Sequence, residues 1–240
     1  ISQEARKRFG AFEAQYSHLR TQEERIMAPE EIRKLPDTPK DHPHHNEWEM
    51  RRDTIDRFME RLREKKPPLS ILDVGCGNGF FSNMMARQGH RVIGVDVCLF
   101  ELEQAVHTFG AENPVWYYAD ILHDKLPVKK FDIITFHASF QYFSQPEALL
   151  RQCLTMLKPD GEIHILESPF YNDATAAEKA RENSLKHFQD LGSPGMIHFY
   201  HFNTLQVLQD FNYQARSKPG LFKRLMGIHP SPFPWIIVIR

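Results

Sequence analysis

Apolar residues follow two rhythms along this chain. Short apolar runs at 71–74, 91–95, 115–118, 131–136 and 162–167 read as strands. Stretches of helical spacing at about 79–88, 99–109 and 146–157 stand between them. Gly89 and Gly110 follow two of these helices and Pro146 opens the third, the usual asymmetry of helix ends. Strands without polar alternation are covered on both faces, so the pattern predicts an α/β, Rossmann-like, doubly wound and mostly parallel sheet. Residues 235–239 read as a terminal strand.

The flanks carry their own pattern. Phe9, Phe12, Tyr16 and Leu19 predict a helix from about Gln3 to Ile26. Residues 35–43 are rich in proline and aspartate and read as a loop. A second helix is expected from about Asn46 to Lys65, with Trp48, Ile55, Phe58, Met59 and Leu62 on one face, stopped by Pro67-Pro68. The division expected is an N-terminal helical cap over 1–66 and a main domain over 67–240 with an insertion at 169–202. Within and beyond that insertion, Asn172 to Asp190 reads as a polar helix, residues 191–195 break it, and a helix is expected at 204–211.

The chemistry concentrates in Asp73-Val74-Gly75-Cys76-Gly77-Asn78-Gly79, a glycine turn between a strand and a helix. Such a turn lets a ligand approach the backbone, and the helix start offers unpaired N–H groups. A dinucleotide fingerprint places its third small residue where Phe80 stands here, and a phenyl ring does not suit that packing. The Asp73 carboxylate would repel a pyrophosphate but suits a ligand carrying an ammonium and a sulfonium. Phe80 and Asp73 together disfavour a nicotinamide oxidoreductase.

This turn resembles the first motif of the class I S-adenosylmethionine-dependent methyltransferases. The resemblance continues through Arg91–Asp96, through 116–121, through 131–137, and through Gln141-Tyr142-Phe143, 146–150 and 157–161. It implies a seven-stranded sheet whose last strand is antiparallel and forms a hairpin with the sixth. It implies S-adenosyl-L-methionine as cofactor, held by Asp73, Gly75, Cys76, Gly77, Asn78 and Gly79, by Asp96 and Val97 at the ribose, and by Asp120 and Ile121 at the adenine. Asp96 lies 21 residues after Gly75, close to the roughly 20 expected of a ribose-binding acid. Arg51 is a candidate for the methionine carboxylate, against an ordinary exposed helix charge.

Methyl transfer needs alignment above all, and a base only when the acceptor arrives protonated. His137 ends the fourth strand and is either a base or a backbone contact for the methionine amino group. Tyr200 and His201 are the other catalytic candidates, in an aromatic stretch (198–202) expected to roof the pocket or to be a packed loop. Gln141 and Tyr142 are expected beside the methyl group, and Glu167 and Ser168 beside the acceptor. His42, His44 and His45 miss zinc-site spacing, so no metal is expected.

Composition narrows the acceptor. The net charge of −1 and pI near 7.0 disfavour nucleic acid. The motifs of amino-methylating DNA enzymes, cytosine C5 enzymes and protein arginine methyltransferases are absent where they would stand, as His137-Ala138-Ser139-Phe140 follows instead. Three scattered cysteines argue against a disulfide framework. No apolar run approaches a membrane span and no signal pattern opens the chain, so a cytoplasmic protein with a trimmed start is expected. The expected function is O- or N-methylation of a small molecule; the alternative is a non-catalytic module that binds the cofactor or a partner.

Overall fold

The computed structural model describes residues 3–127, 130–216 and 231–240. Its centre is a seven-stranded sheet in the order β3-β2-β1-β4-β5-β7-β6. The strands are β1 (Ser70–Val74), β2 (Arg91–Asp96), β3 (Val115–Tyr118), β4 (Phe131–His137), β5 (Leu157–Leu166), β6 (Asn212–Arg216) and β7 (Trp235–Ile239). β1 to β5 run parallel to one another, and β7 is antiparallel to both β5 and β6. Strand order reverses between β1 and β4, and ligands of such sheets bind at that switch point, beyond the strands' carboxyl ends.

Seven helices are described: α1 (Gln3–Gln22), α2 (Pro29–Ile32), α3 (His45–Glu64), α4 (Phe80–Arg87), α5 (Leu99–Phe109), α6 (Pro146–Met156) and α7 (Ala174–Asp190). Strand side chains alternate between faces. Ile71 of β1 joins a core with Ile55, Phe58 and Leu62 of α3 and Phe81 and Met85 of α4. Leu72 and Val74 join the opposite core, with Leu149, Leu150 and Cys153 of α6. Burial on both sides explains the unbroken apolar runs. α3 therefore forms a layer of the sheet's own sandwich. α1 joins a third cluster, where Leu19 packs with Phe188 of α7 and with Met196.

Three local readings change. The first helix stops at Gln22, and the short α2 follows. The helix expected at 204–211 is a single 3-10 turn, Leu205–Leu208, followed by β6. The fifth strand begins at Leu157, five residues before its expected start, across an irregularity in its pairing with β4.

Candidate active site

The glycine turn is fixed by contacts below and beside it. Gly75 has φ 70°, and a Cβ there would lie 2.5 Å from the Ser139 Cβ. Gly79 has φ 80°, and a Cβ would meet the Trp116 ring at 2.4 Å. That contact with Trp116 makes a side chain at Gly79 incompatible with the packing beside the turn.

Two compartments adjoin over the switch point. The outer one, about 420 Å³, is lined by Val95, Asp96, Val97, Asp120, Ile121 and His123 and by Arg8, Phe9 and Phe12 of α1. The inner one, about 300 Å³, is lined by Asp73, Cys76, Asn78, Arg51, His137 and Glu167 and by Arg20 of α1. Tyr16, Gly75, Gly77, Ala138 and Tyr142 line both.

Asp96 closes β2, and its carboxylate accepts from the Gly77 and Cys98 N–H groups, both at 2.8 Å. Asp120 accepts from the Leu122 N–H at 2.9 Å and meets His123 Nδ1 at 2.5 Å and Arg8 at 3.3 Å. Asp73 is buried beneath the turn, where Ser82 Oγ (2.6 Å) and Thr135 Oγ1 (2.8 Å) donate to its two oxygens. Burial pushes both Asp73 and Asp96 up to about 6 against these hydrogen bonds. Glu101 of α5 is also buried and raised, with Arg20 opposing the shift from 3.6 Å. Three desolvated acids around one turn form a site that a cationic ligand stabilises.

Arg51 lines the inner compartment. It pairs with Glu47 at 2.5 Å and lies over the Trp48 ring at 5.3 Å. His137 stacks on Phe81 at 4.4 Å, and its Nε2 has no hydrogen-bond partner among the described residues. Burial, reinforced by the Arg51 charge, lowers its pKa to about 3. So low a value makes the imidazole a weak proton acceptor in the free protein, where the ring is a neutral hydrogen-bonding group.

Tyr200 and His201 part company. The Tyr200 ring faces the inner compartment, edge-on to Tyr142 at 5.6 Å. His201 donates its backbone N–H to the Gln141 carbonyl at 2.7 Å and lines the outer compartment. The two also share the lining of a further cavity beside α7, with Ala177 and Arg181. His44 Nε2 lies 2.6 Å from the Glu23 carbonyl and His45 Nδ1 3.1 Å from that of Thr38, so both tie down their loop.

The sequence predicts a cap from residues 1–66, but the individual side chains by which α1 reaches the site emerge from the structure. Glu13 accepts from the Leu99 and Phe100 N–H groups at 2.7 and 3.3 Å, capping α5 from a distant element. Phe12 meets Tyr142 at 5.7 Å and Phe199 at 5.6 Å. The signal was available: Phe9, Glu13, Tyr16 and Arg20 fall on one helical face, and charges within an apolar stripe need partners.

Comparison with known proteins agrees with this geometry. A family model described as Methyltransferase domain matches residues 46–218. The chain is similar to the ubiquinone biosynthesis O-methyltransferase of Albidiferax ferrireducens, 34% identical over 95 residues, 38% of each chain. It is also similar to that of Chromobacterium violaceum, 32% identical over 123 residues, 50% of each chain. The matches thus span half or less of these relatives' length. Among solved structures, the YcgJ protein from Bacillus subtilis has a TM-score of 0.60 at 20% identity, covering 79% of this chain and 99% of that one. The plantazolicin methyltransferase BpumL, in complex with a monoazolic desmethylPZN analog and SAH, has a TM-score of 0.54 at 18% identity, covering 95% and 99%. These two share its fold.

Proposed function

This chain belongs to the class I S-adenosylmethionine-dependent methyltransferases, and from that premise we propose that it methylates a small molecule enclosed between its glycine turn and the end of β5. The observation that carries this reading is the pair of adjoining compartments, with acids at both and a partly aromatic lining in the inner one. An inner volume of about 300 Å³ lies at the low end for ligand pockets and has to hold the methionine tail as well as the acceptor.

In this reading Asp96 and Val97 hold the ribose, and Asp120 and Ile121 border the adenine. The backbone of Gly75, Gly77 and Ala138 supports the join between compartments. Arg20 and Arg51 are the cations available to the methionine carboxylate, and Asp73 and Glu101 favour its positive groups. When bound, the cofactor supplies a methyl group already activated on a sulfonium. The protein's share is to orient the acceptor behind that methyl, to exclude water and to accept a proton where the acceptor carries one. His137, neutral throughout the working range, offers Nε2 as a hydrogen-bonding contact.

Covering the site falls to α1 and the turn after it within the 1–66 segment, while α2 and α3 pack on the sheet core. The names of the curated relatives support an oxygen acceptor. The test is transfer of labelled methyl from S-adenosylmethionine to a panel of small hydroxyl and amine compounds. Transfer to one of them is expected; transfer only to protein or nucleic acid would reject the reading. No helix among the described residues is long and apolar enough to cross a membrane.

A further inference from the structure

Glu167, immediately after β5, borders the inner compartment at its acceptor end. Its φ is 53°, a left-handed value that a residue with a Cβ rarely adopts. Ala138, immediately after β4, has φ 54° and donates its N–H to the Leu166 carbonyl at 2.8 Å. Two strained residues thus stand side by side where a doubly wound sheet meets its ligands.

The Glu167 carboxyl is held from two further elements. The Ser231 hydroxyl donates to Oε2 at 2.9 Å, and Thr54 of α3 also bonds to the group. Oε1 is different: it is buried and has no hydrogen-bond partner among the described residues. Leaving a buried carboxyl oxygen unpaired is costly, so such an atom in a ligand chamber points to a donor that arrives with the ligand. The Gln141 Oε1 and Trp48 Nε1 atoms, also unpartnered among the described residues, line the same chamber. His137 is too weak a base to compete.

From this placement, and resting on the methyl-transfer reading above, we infer that Glu167 is the catalytic base: its Oε1 receives the hydrogen bond of an acceptor hydroxyl and takes that proton as the oxygen is methylated. A lone pair of the hydroxyl oxygen forms the new O–C bond while the C–S bond breaks. The electron pair of the C–S bond stays on sulfur, which becomes a neutral thioether. The hydroxyl proton passes to Oε1, and the neutral carboxyl returns it to solvent after the product leaves. The acceptor is a small neutral hydroxyl compound whose apolar body meets the rings of Phe188, Tyr200 and Phe233. An amine that arrives neutral attacks through its own lone pair and needs no base during transfer.

Burial raises the Glu167 carboxyl above the usual range, with Thr54, Ser231 and Arg51 opposing, which makes it a better proton acceptor than an exposed carboxylate. The charged and titratable groups facing the chamber are Tyr16, Arg20, Glu23 and Arg25 from α1 and the turn after it, Arg51 with its ion-pair partner Glu47 on α3, Asp73 and Cys76 at the glycine turn, Glu101 on α5, His137 and Tyr142 after β4, His187 on α7, and Tyr200.

The experiment measures labelled methyl transfer by parent, Glu167→Gln and Glu167→Asp to small phenols, catechols and aliphatic alcohols, with matching amines as a second arm. Binding of S-adenosylhomocysteine and the unfolding midpoint are measured alongside. Transfer to hydroxyl compounds is expected, with kcat rising with pH through the Glu167 titration. Glu167→Gln should lose at least about a hundredfold in kcat, with KM and cofactor affinity within about threefold, and should lose that rising limb. Glu167→Asp should recover part of the rate. A parental kcat in Glu167→Gln, a loss carried by KM or by cofactor affinity alone, or parental transfer confined to amines would overturn the assignment. No transfer by the parent in either arm would overturn the small-acceptor reading beneath it.

Discussion

Asp73 and Asp96 share an unusual condition: buried carboxyls held near 6 by desolvation, each already accepting two hydrogen bonds. Ribose hydroxyls and a positive ligand favour the charged carboxylate, so binding lowers these pKa values. The free protein holds those protons below about pH 6 and gives them up on binding. Cofactor affinity should therefore tighten from pH 5 to pH 7, by up to about tenfold for each group that shifts two units. Calorimetry in buffers of different ionisation enthalpy should find proton release greatest near pH 5, midway between the free and bound values, and fading by pH 8. Proton uptake, or a flat profile, would contradict the raised values. Hydrogen bonds to a charged acceptor are worth about 1.5–3 kcal/mol, so Asp96→Ala should weaken the cofactor about tenfold or more in a protein that still folds. Tyr200 and His201 separate in the same assay. Tyr200→Ala should depress acceptor turnover with cofactor affinity within about threefold, roughly 0.65 kcal/mol. His201→Ala should do the reverse, because His201 lines the outer compartment and Tyr200 does not.

α1 is held on the sheet by polar contacts at three points along its length: Arg8 on Asp120, Glu13 on the α5 N-terminus and Arg20 on Glu101. Removing a helix cap costs about 1 kcal/mol, and Glu13→Ala should lower the unfolding midpoint modestly. Deleting residues 1–22 should cost far more cofactor affinity than sheet stability, because α1 lines both compartments while α3 holds the core. Circular dichroism and titration of the truncated protein separate the two effects; unchanged affinity would show α1 to be a bystander. This contrast also marks the limit of what the sequence makes legible. α3 is plain in it, since Trp48, Ile55, Phe58, Met59 and Leu62 recur at helical spacing because they face one sheet. The acids at strand ends are plain because strand, turn and helix are contiguous. β6 is not, because Asn212–Arg216 is an edge strand left largely exposed, with no buried face to impose alternation. The Glu13 and Arg20 contacts join residues about 80 positions apart, and spacing alone names no partner across that gap. Glu167 could be placed at a strand end, but its unpaired oxygen exists only once Thr54 and Ser231 converge on it.

The molecule as a whole should discriminate by cofactor chemistry. S-adenosylmethionine should bind, and nicotinamide dinucleotides should not, because Phe80 closes the place where a pyrophosphate turn needs a small residue. A ligand at a hundred times its dissociation constant stabilises by about 2.7 kcal/mol, which for a chain of this size raises the midpoint by roughly 5–10 °C. S-adenosylhomocysteine should produce that shift and NAD none. The aromatic cluster carries a further consequence for kinetics. Phe12 of α1 touches Tyr142 and Phe199, and Tyr142 touches Tyr200, so the cover of one ligand is the wall of the other. Whatever settles α1 also builds the chamber behind it, and the coupling runs both ways. Turnover should then be ordered, with the methyl donor first on and its demethylated form last off. S-adenosylhomocysteine should compete with the donor and show mixed inhibition against the acceptor. At high concentration the acceptor should become an inhibitor of its own methylation, by settling onto the enzyme before the spent donor has left.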